Sequence, residues 1–137
     1  MYGCLEKKEI YALPDGERAE LIDGKIFSFA VFLNQDDLNY VEPDLSIICD
    51  RSKLDEKGCH GAPDWVIEVV SPSSKSRDYM EKLFKYHTAG VRKYWIVDPE
   101  KQRVMVYWFE HDVVEQYDFG TDIPVGIYEG FHINLLL

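Results

Sequence analysis

The sequence predicts an α+β (α/β) fold: a mixed β-sheet with one helix packed on it and a strand-rich C-terminal half. Three observations carry this. Asp64 to Val70 (DWVIEVV) is a short apolar run with strand-forming residues throughout. Ser71-Pro72-Ser73-Ser74 then opens a segment whose apolar residues recur at helical spacing and which meets Gly90 as a natural stop. From Tyr94 onward only strand-like runs separated by turn residues remain. One sheet with a helix against it is the economical way to bury these faces.

The elements follow in order. Cys4 to Leu13 is short and mixed, a helical turn at most, ending at the turn signal Pro14-Asp15-Gly16. Ala19 to Ile26 reads as a hairpin whose two-residue turn is Asp23-Gly24. Lys25 to Leu33 continues without a breaker and predicts one long strand. Leu38 to Cys49 predicts a strand with Pro43 at its start or on an edge, and Asp50 to Pro63 a polar loop. In Asp64 to Val70, period two puts Trp65, Ile67 and Val69 on one face and Val66, Glu68 and Val70 on the other. Ser73, Ser74 or Ser76 caps a helix running to about Ala89, with Tyr79, Met80, Leu83, Phe84 and His87 as its apolar stripe. Tyr94 to Val97, Val104 to Phe109, Val113 to Phe119 and Ile127 to Leu135 complete the strands, with a turn at Pro99 to Gln102.

Composition bounds the function. At 137 residues the chain fits one domain, spanning 1–137. Hydrophobic residues at 46% and charged residues at 29% suit a globular protein with a filled core rather than a disordered one. No apolar run approaches the roughly 20 residues that cross a bilayer, and the segment from Met1 to Pro14 lacks a signal-peptide core, so a cytoplasmic location is expected. Cys4, Cys49 and Cys59 are an odd set without zinc-ligand spacing, which disfavours a disulfide framework and a zinc ribbon. The net charge of −10 weighs against non-specific binding to nucleic acid. The sign is uneven, however: Ser71 to Lys93 holds six bases (Lys75, Arg77, Lys82, Lys85, Arg92, Lys93) against Asp78 and Glu81.

Glu68 is the residue that asks for chemistry. It shares a face with Val66 and Val70 on a strand that otherwise reads as core. A buried carboxylate needs a cation or hydrogen-bond donors, or it becomes neutral. Asp44, after Pro43, opens a second apolar strand in a similar way. Two carboxylates on neighbouring strands can hold a hard divalent ion, which lowers the pKa of bound water and stabilises charge on a phosphate. On the helix, Asp78, Lys82 and Tyr86 form one stripe at i, i+4, i+8, which offers a lysine to such a centre. Each residue also has a plainer reading. Glu68 could be a satisfied strand glutamate, Asp44 a turn or bulge residue, and Lys82 a surface partner of Asp78.

The strings ELIDGKI, VEPDLSIICD, GAPDWVIEVVSPSS, EKLFKYHTAGVRKYWIVDPE and IPVGIYEG closely resemble the Uma-two (Uma2) family, bacterial proteins of largely unknown function with a restriction-endonuclease-like PD-(D/E)xK fold. The resemblance covers nearly the whole chain. It implies a nuclease that hydrolyses DNA phosphodiesters with Mg²⁺ or Mn²⁺ held by Asp44 and Glu68. In the general pattern a lysine stands two residues after the glutamate, where this chain has Val70; Lys82 on the following helix matches the family's displaced lysine. Tyr86 then supports the site, and Glu20 of ELIDG matches a further family acid.

One departure from the family follows the hairpin. A long helix and a strand that normally precede the PD strand are missing between Phe27-Ser28 and Phe29 to Leu33. An uncovered apolar sheet face is expected there, hidden by a homodimer or an exchanged element. The alternative is a truncated, non-catalytic relative that serves as a binding or assembly module, with an apolar interface near Phe27 to Phe32.

Overall fold

The predicted hairpin is present: β1 (Ala19–Ile22) pairs antiparallel with β2 (Lys25–Ser28), Ile22 opposite Lys25, leaving two residues for the turn. The computed structural model describes residues 19–22, 25–28, 30–34, 40–73 and 77–136, with the backbone alone for 19–28, 77 and 78. The turn at Asp23-Gly24 and the segment Cys4 to Leu13 lie outside the described residues. The single strand expected from Lys25 to Leu33 divides instead. β2 belongs to the hairpin, whereas β3 (Ala30–Phe32) joins a different sheet. An apolar run has no marker for the point at which a chain changes sheets.

β4 (Leu45–Ile47) follows Pro43-Asp44. The expected polar loop of Asp50 to Pro63 is partly ordered: a 3₁₀ turn at Arg51–Lys53 leads into β5 (Leu54–Asp55) and β6 (Gly58–His60). Asp50 caps the turn, its Oδ1 accepting from the Ser52 amide at 2.9 Å. β6 lies between β3, parallel to it, and β5, antiparallel. Val31 and Phe32 are buried within the chain, so the uncovered face expected near Phe27 to Phe32 is closed at these two positions. Their neighbours include Cys59, Val41 and the His60 ring, which stacks on Phe32 at 4.8 Å.

The principal sheet has five strands. β7 (Trp65–Val69) pairs antiparallel with β4 and parallel with β8 (Lys93–Asp98), and the order is completed by β9 (Arg103–Trp108) and β10 (Val113–Asp118). A parallel pair needs a crossover. A π-helical turn, Arg77–Lys82, supplies it together with α1 (Leu83–Ala89), which ends at Gly90 in the left-handed region (φ 95). Of the expected caps, Ser74 and Ser76 lie outside the described residues, and the Ser73 hydroxyl is 3.0 Å from that of Ser71. The strand expected over Ile127 to Leu135 is shorter: β11 (Asp122–Pro124) and β12 (His132–Asn134) form a two-stranded sheet joined by a long turn.

The alternation of β7 works as predicted. Trp65 joins Trp95, Val97, Val104 and Val106 on one face, covered by Ile123 and Val125. Val66 and Val70 join Tyr94 and Ile96 on the other, covered by Tyr86 of α1. Every residue of β8 is buried, so the central strand is shielded on both faces by its own chain. The helix is turned from the expected stripe: Met80 and Phe84 are 71% and 70% exposed, His87 is exposed, and Tyr86 is fully buried. None of the described helices is long and apolar enough to cross a membrane.

Candidate active site

The antiparallel register of β4 and β7 pairs Leu45 with Ile67. One step outward, the same register sets Asp44 opposite Glu68, with both side chains on the face that α1 covers. Asp44 Oδ2 accepts from the Val69 amide at 2.7 Å, so this solvent-exposed carboxylate is fastened to the end of β7. Glu68 keeps only 2% of its surface exposed. Its Oε2 lies 3.0 Å from Lys82 Nζ, and its Oε1 accepts from the Tyr86 hydroxyl at 2.9 Å. The structure therefore brings together Asp44, Glu68, Lys82 and Tyr86. Glu20 sits on β1 opposite Phe27, and its side chain lies outside the described residues, as does that of Asp78.

Why the sequence builds this follows from the need of Glu68. Burial pushes its carboxyl above the usual carboxylate range; the Lys82 charge and the hydrogen bonds from Lys82 and Tyr86 pull the other way, and the nearby Asp44 charge adds to the rise. The helix meets this need by presenting Lys82 and Tyr86, one turn apart, to the sheet. Lys82 remains 22% exposed in its side chain, so its head can leave Glu68 for solvent or for a substrate anion. Val70, at the place where the general pattern carries lysine, is buried in the core beneath the helix.

Ser46 was not singled out by its residue type, yet it belongs here. It is 5% exposed, lies on the same face as Asp44 two residues on, and its Oγ has no hydrogen-bond partner among the described residues. Period two counted from Asp44 was the signal that could have found it.

A divalent cation suits the donors present. Two facing carboxylates are hard oxygen ligands, and the Asp44 charge is felt at Glu68. Each carboxylate oxygen carries a second acceptor site beyond its present bond. Among the described residues no group of three or more His, Cys, Asp or Glu could hold a metal. Mg²⁺ accepts such a set, because it commonly takes one or two carboxylates and keeps waters or substrate phosphate for the rest. Of the described cysteines, Cys59 is buried and donates to the Gly61 carbonyl at 3.5 Å, and Cys49 is half-buried and outside any disulfide.

A mixed sheet with a crossover helix, in which Asp44 before the outer strand faces Glu68 on the neighbouring strand and Lys82 enters from the crossover, has a restriction-endonuclease-like fold. The chain belongs to the Uma2 family, described as "Putative restriction endonuclease", which it matches over residues 28–135. Its fold is similar to the crystal structure of "a putative nuclease belonging to DUF820" from Anabaena variabilis, at a TM-score of 0.59 and 20% identity over 92% of each chain. No curated protein matches the sequence.

Proposed function

We propose that this protein is a divalent-metal-dependent nuclease that hydrolyses phosphodiester bonds of DNA, with Asp44 and Glu68 as ligands for Mg²⁺ or Mn²⁺. The observation that carries the reading is the Glu68 carboxylate, buried on a strand, faced by Asp44 and met by Lys82 at 3.0 Å. A bound cation would lower the pKa of a water and offset the charge that builds on the phosphate. The protein's own groups do the rest. Tyr86 fixes one Glu68 oxygen and thereby the orientation of the carboxylate. Lys82 favours the ionised form of Glu68 against the effect of burial, then pairs with the scissile phosphate or orients the attacking water. Asp44, held by the Val69 amide, keeps its place on the facing strand.

Family membership supports nuclease chemistry, and the basic residues of the helical segment support an anionic substrate. A cytoplasmic protein with access to DNA fits this role. The assembly we favour is a homodimer, in which a second copy covers Leu45 on the outer strand β4 and Val69 at the end of β7, each 49% exposed. Light scattering that gives a monomer mass at all concentrations would remove the dimer and leave the chemistry standing.

A second reading rests on the completeness of the Glu68 pairing: both oxygens already have protein donors, as in a purely structural ion pair. The chain would then be a non-catalytic binding or assembly module. Nicking of supercoiled plasmid in Mg²⁺ and in Mn²⁺, wild type beside Glu68→Gln, separates the two. Metal-dependent nicking by the wild type alone is the expected result. Equal nicking by both would remove Glu68 from the chemistry, and silence from both, with no Mn²⁺ bound on titration, would establish the module.

A further inference from the structure

Away from the face that meets Glu68, α1 borders a cleft of about 340 Å³. Leu33, Asn34 and Tyr40 line it from the segment after β3, and Phe84, Lys85 and Thr88 line it from the helix. Its aromatic side chains are open to solvent: Phe84 is 70% exposed and Tyr40 57%. Met80, one turn before Phe84, is 71% exposed. A globular surface seldom leaves such side chains together without a partner. Two polar groups accompany the rings. Lys85 brings an exposed cation and Asn34 an exposed amide that both donates and accepts. The Thr88 hydroxyl, by contrast, is spent on the Phe84 carbonyl at 2.8 Å.

Exposed aromatic rings with an adjacent ammonium and an amide are the groups that hold an unpaired nucleobase: the rings stack, the amide reads an edge, and the cation meets the phosphate. Position agrees with this. Lys85 follows Lys82 by three residues, so the two side chains are neighbours around the helix, Lys82 on the side of Glu68 and Lys85 on the side of the cleft. A strand with one phosphate at Lys82 can carry the next past Lys85 and deliver its base to the cleft. The charge of the chain decides between forms of nucleic acid. At −10 the protein repels a duplex, which bears one charge per roughly 1.7 Å of axis, more strongly than a single strand with half that density. Stacking, which does not depend on net charge, then supplies the affinity that phosphate contacts cannot.

We propose that the cleft between Tyr40 and Phe84 binds an unpaired base of single-stranded nucleic acid, with Lys85 on its phosphate, and so directs the nuclease to single-stranded stretches. The inference rests on the nuclease reading for the identity of the ligand as substrate, but the binding it describes can be measured without cleavage.

The test is fluorescence anisotropy of a labelled single-stranded DNA oligonucleotide, and of the same sequence as a duplex, without divalent metal. Wild type, Phe84→Ala, Tyr40→Ala, Lys85→Ala and Glu68→Gln are compared, with circular dichroism to establish that each is folded. The wild type binds the single strand more tightly than the duplex. Phe84→Ala and Tyr40→Ala each weaken single-strand binding about 5- to 100-fold, the loss of one stacked base. Lys85→Ala weakens it and flattens its salt dependence, and Glu68→Gln, which releases Lys82 for phosphate, does not weaken it. Single-strand affinity unaltered in a folded Phe84→Ala variant, or a preference for duplex, would overturn the proposal. So would a change of mass in Phe84→Ala with DNA affinity intact, since the cleft would then be an interface between copies. Plasmid and oligonucleotide cleavage in Mg²⁺ is read separately. Cleavage that persists with Phe84 binding nothing removes the cleft and keeps the nuclease, whereas a Phe84-dependent single-strand complex without cleavage keeps the cleft and removes the nuclease.

Discussion

Lys82 Nζ lies 3.0 Å from Glu68 Oε2, and the two residues belong to different elements: the carboxylate to β7 and the ammonium to the end of the π-helical turn that leads into α1. A lysine on the carboxylate's own strand would be fixed by the pleat of the sheet. From the helix it approaches at the end of a long stem, partly open to solvent, and can exchange Glu68 for another anion.

The protonation of Glu68 should therefore follow Lys82. Removing the ammonium in Lys82→Met takes away the largest influence that lowers the Glu68 pKa, leaving burial and Asp44 to raise it further. Carbon-13 NMR of labelled glutamate is expected to show the Glu68 carboxyl titrating at higher pH in Lys82→Met than in the wild type. Tyr86→Phe should move it in the same direction by less. An unmoved titration would mean that the ion pair has no hold on the carboxylate.

Stability should carry the same signature. The folded-state pKa of Glu68 is raised, so its favourable contribution is present below the ordinary value of 4.5 and is lost as pH rises through the folded-state value. Above that range the ionised carboxylate is a net burden on the fold. Glu68→Gln removes the burden while Lys82 turns to solvent. Its melting temperature is expected to equal or exceed the wild type's at pH 8 and to lose the advantage at pH 4. A variant less stable than the wild type at pH 8 would contradict this.

Metal affinity should fall with acid earlier than ordinary carboxylates would dictate. A cation needs Glu68 deprotonated, and its pKa is raised. Mn²⁺ titration by calorimetry is expected to weaken on lowering the pH while most surface carboxylates remain ionised, and to be lost in Asp44→Asn. Affinity independent of pH through this range would place the metal elsewhere.

Ser46 offers a direct comparison of function with stability. A buried hydroxyl with no partner costs about 1–3 kcal/mol, and the Ser46 Oγ is such a group. Ser46→Ala should raise the melting temperature while lowering plasmid nicking, the pattern of a polar group retained beside the reacting centre. A fall in melting temperature would show that the hydroxyl is satisfied in solution.

On the far face of the sheet, Gly126 lies against the buried Lys93, which donates to the carbonyls of Pro124 and Val125 and sits 4.0 Å from the centre of the Trp108 ring. A Cβ at Gly126 would come within 2.6 Å of Lys93 Nζ and 2.9 Å of Trp108, on a backbone at φ +79. Gly126→Ala is expected to destabilise the protein by at least ~1–2 kcal/mol, the left-handed strain alone, measured by urea unfolding. A neutral effect would show that this turn can rearrange freely.

Much of this was legible beforehand, and the reasons differ by residue. Glu68 announced itself as a charge on a strand of apolar residues, and the alternation of Trp65 to Val70 fixed its face. Gly90 marked the end of the helix. The orientation of the helix did not follow from apolar spacing, which favoured Met80 and Phe84 as core. The stripe that faces the sheet instead includes Lys82, which meets the buried carboxylate, and Tyr86, which is fully buried against it. Lys82 and Tyr86 shared a stripe in the sequence, but their bonds to Glu68 depend on a contact between distant elements. The partition of Lys25 to Leu33 between two sheets had no local marker at all. Asp44 needed the register of β4 against β7, which spacing along the chain does not contain.

That register has a kinetic consequence. Glu68, Lys82 and Tyr86 all come from the contiguous β7–α1–β8 crossover, whereas Asp44 precedes a strand of three residues at the border of the principal sheet. Short border strands open more readily than central ones and exchange their amide hydrogens sooner. The Val69 amide, bonded to Asp44, thus reports on detachment of the outer strand. In a folding chain the second carboxylate therefore arrives by a strand pairing separate from the crossover that carries the first.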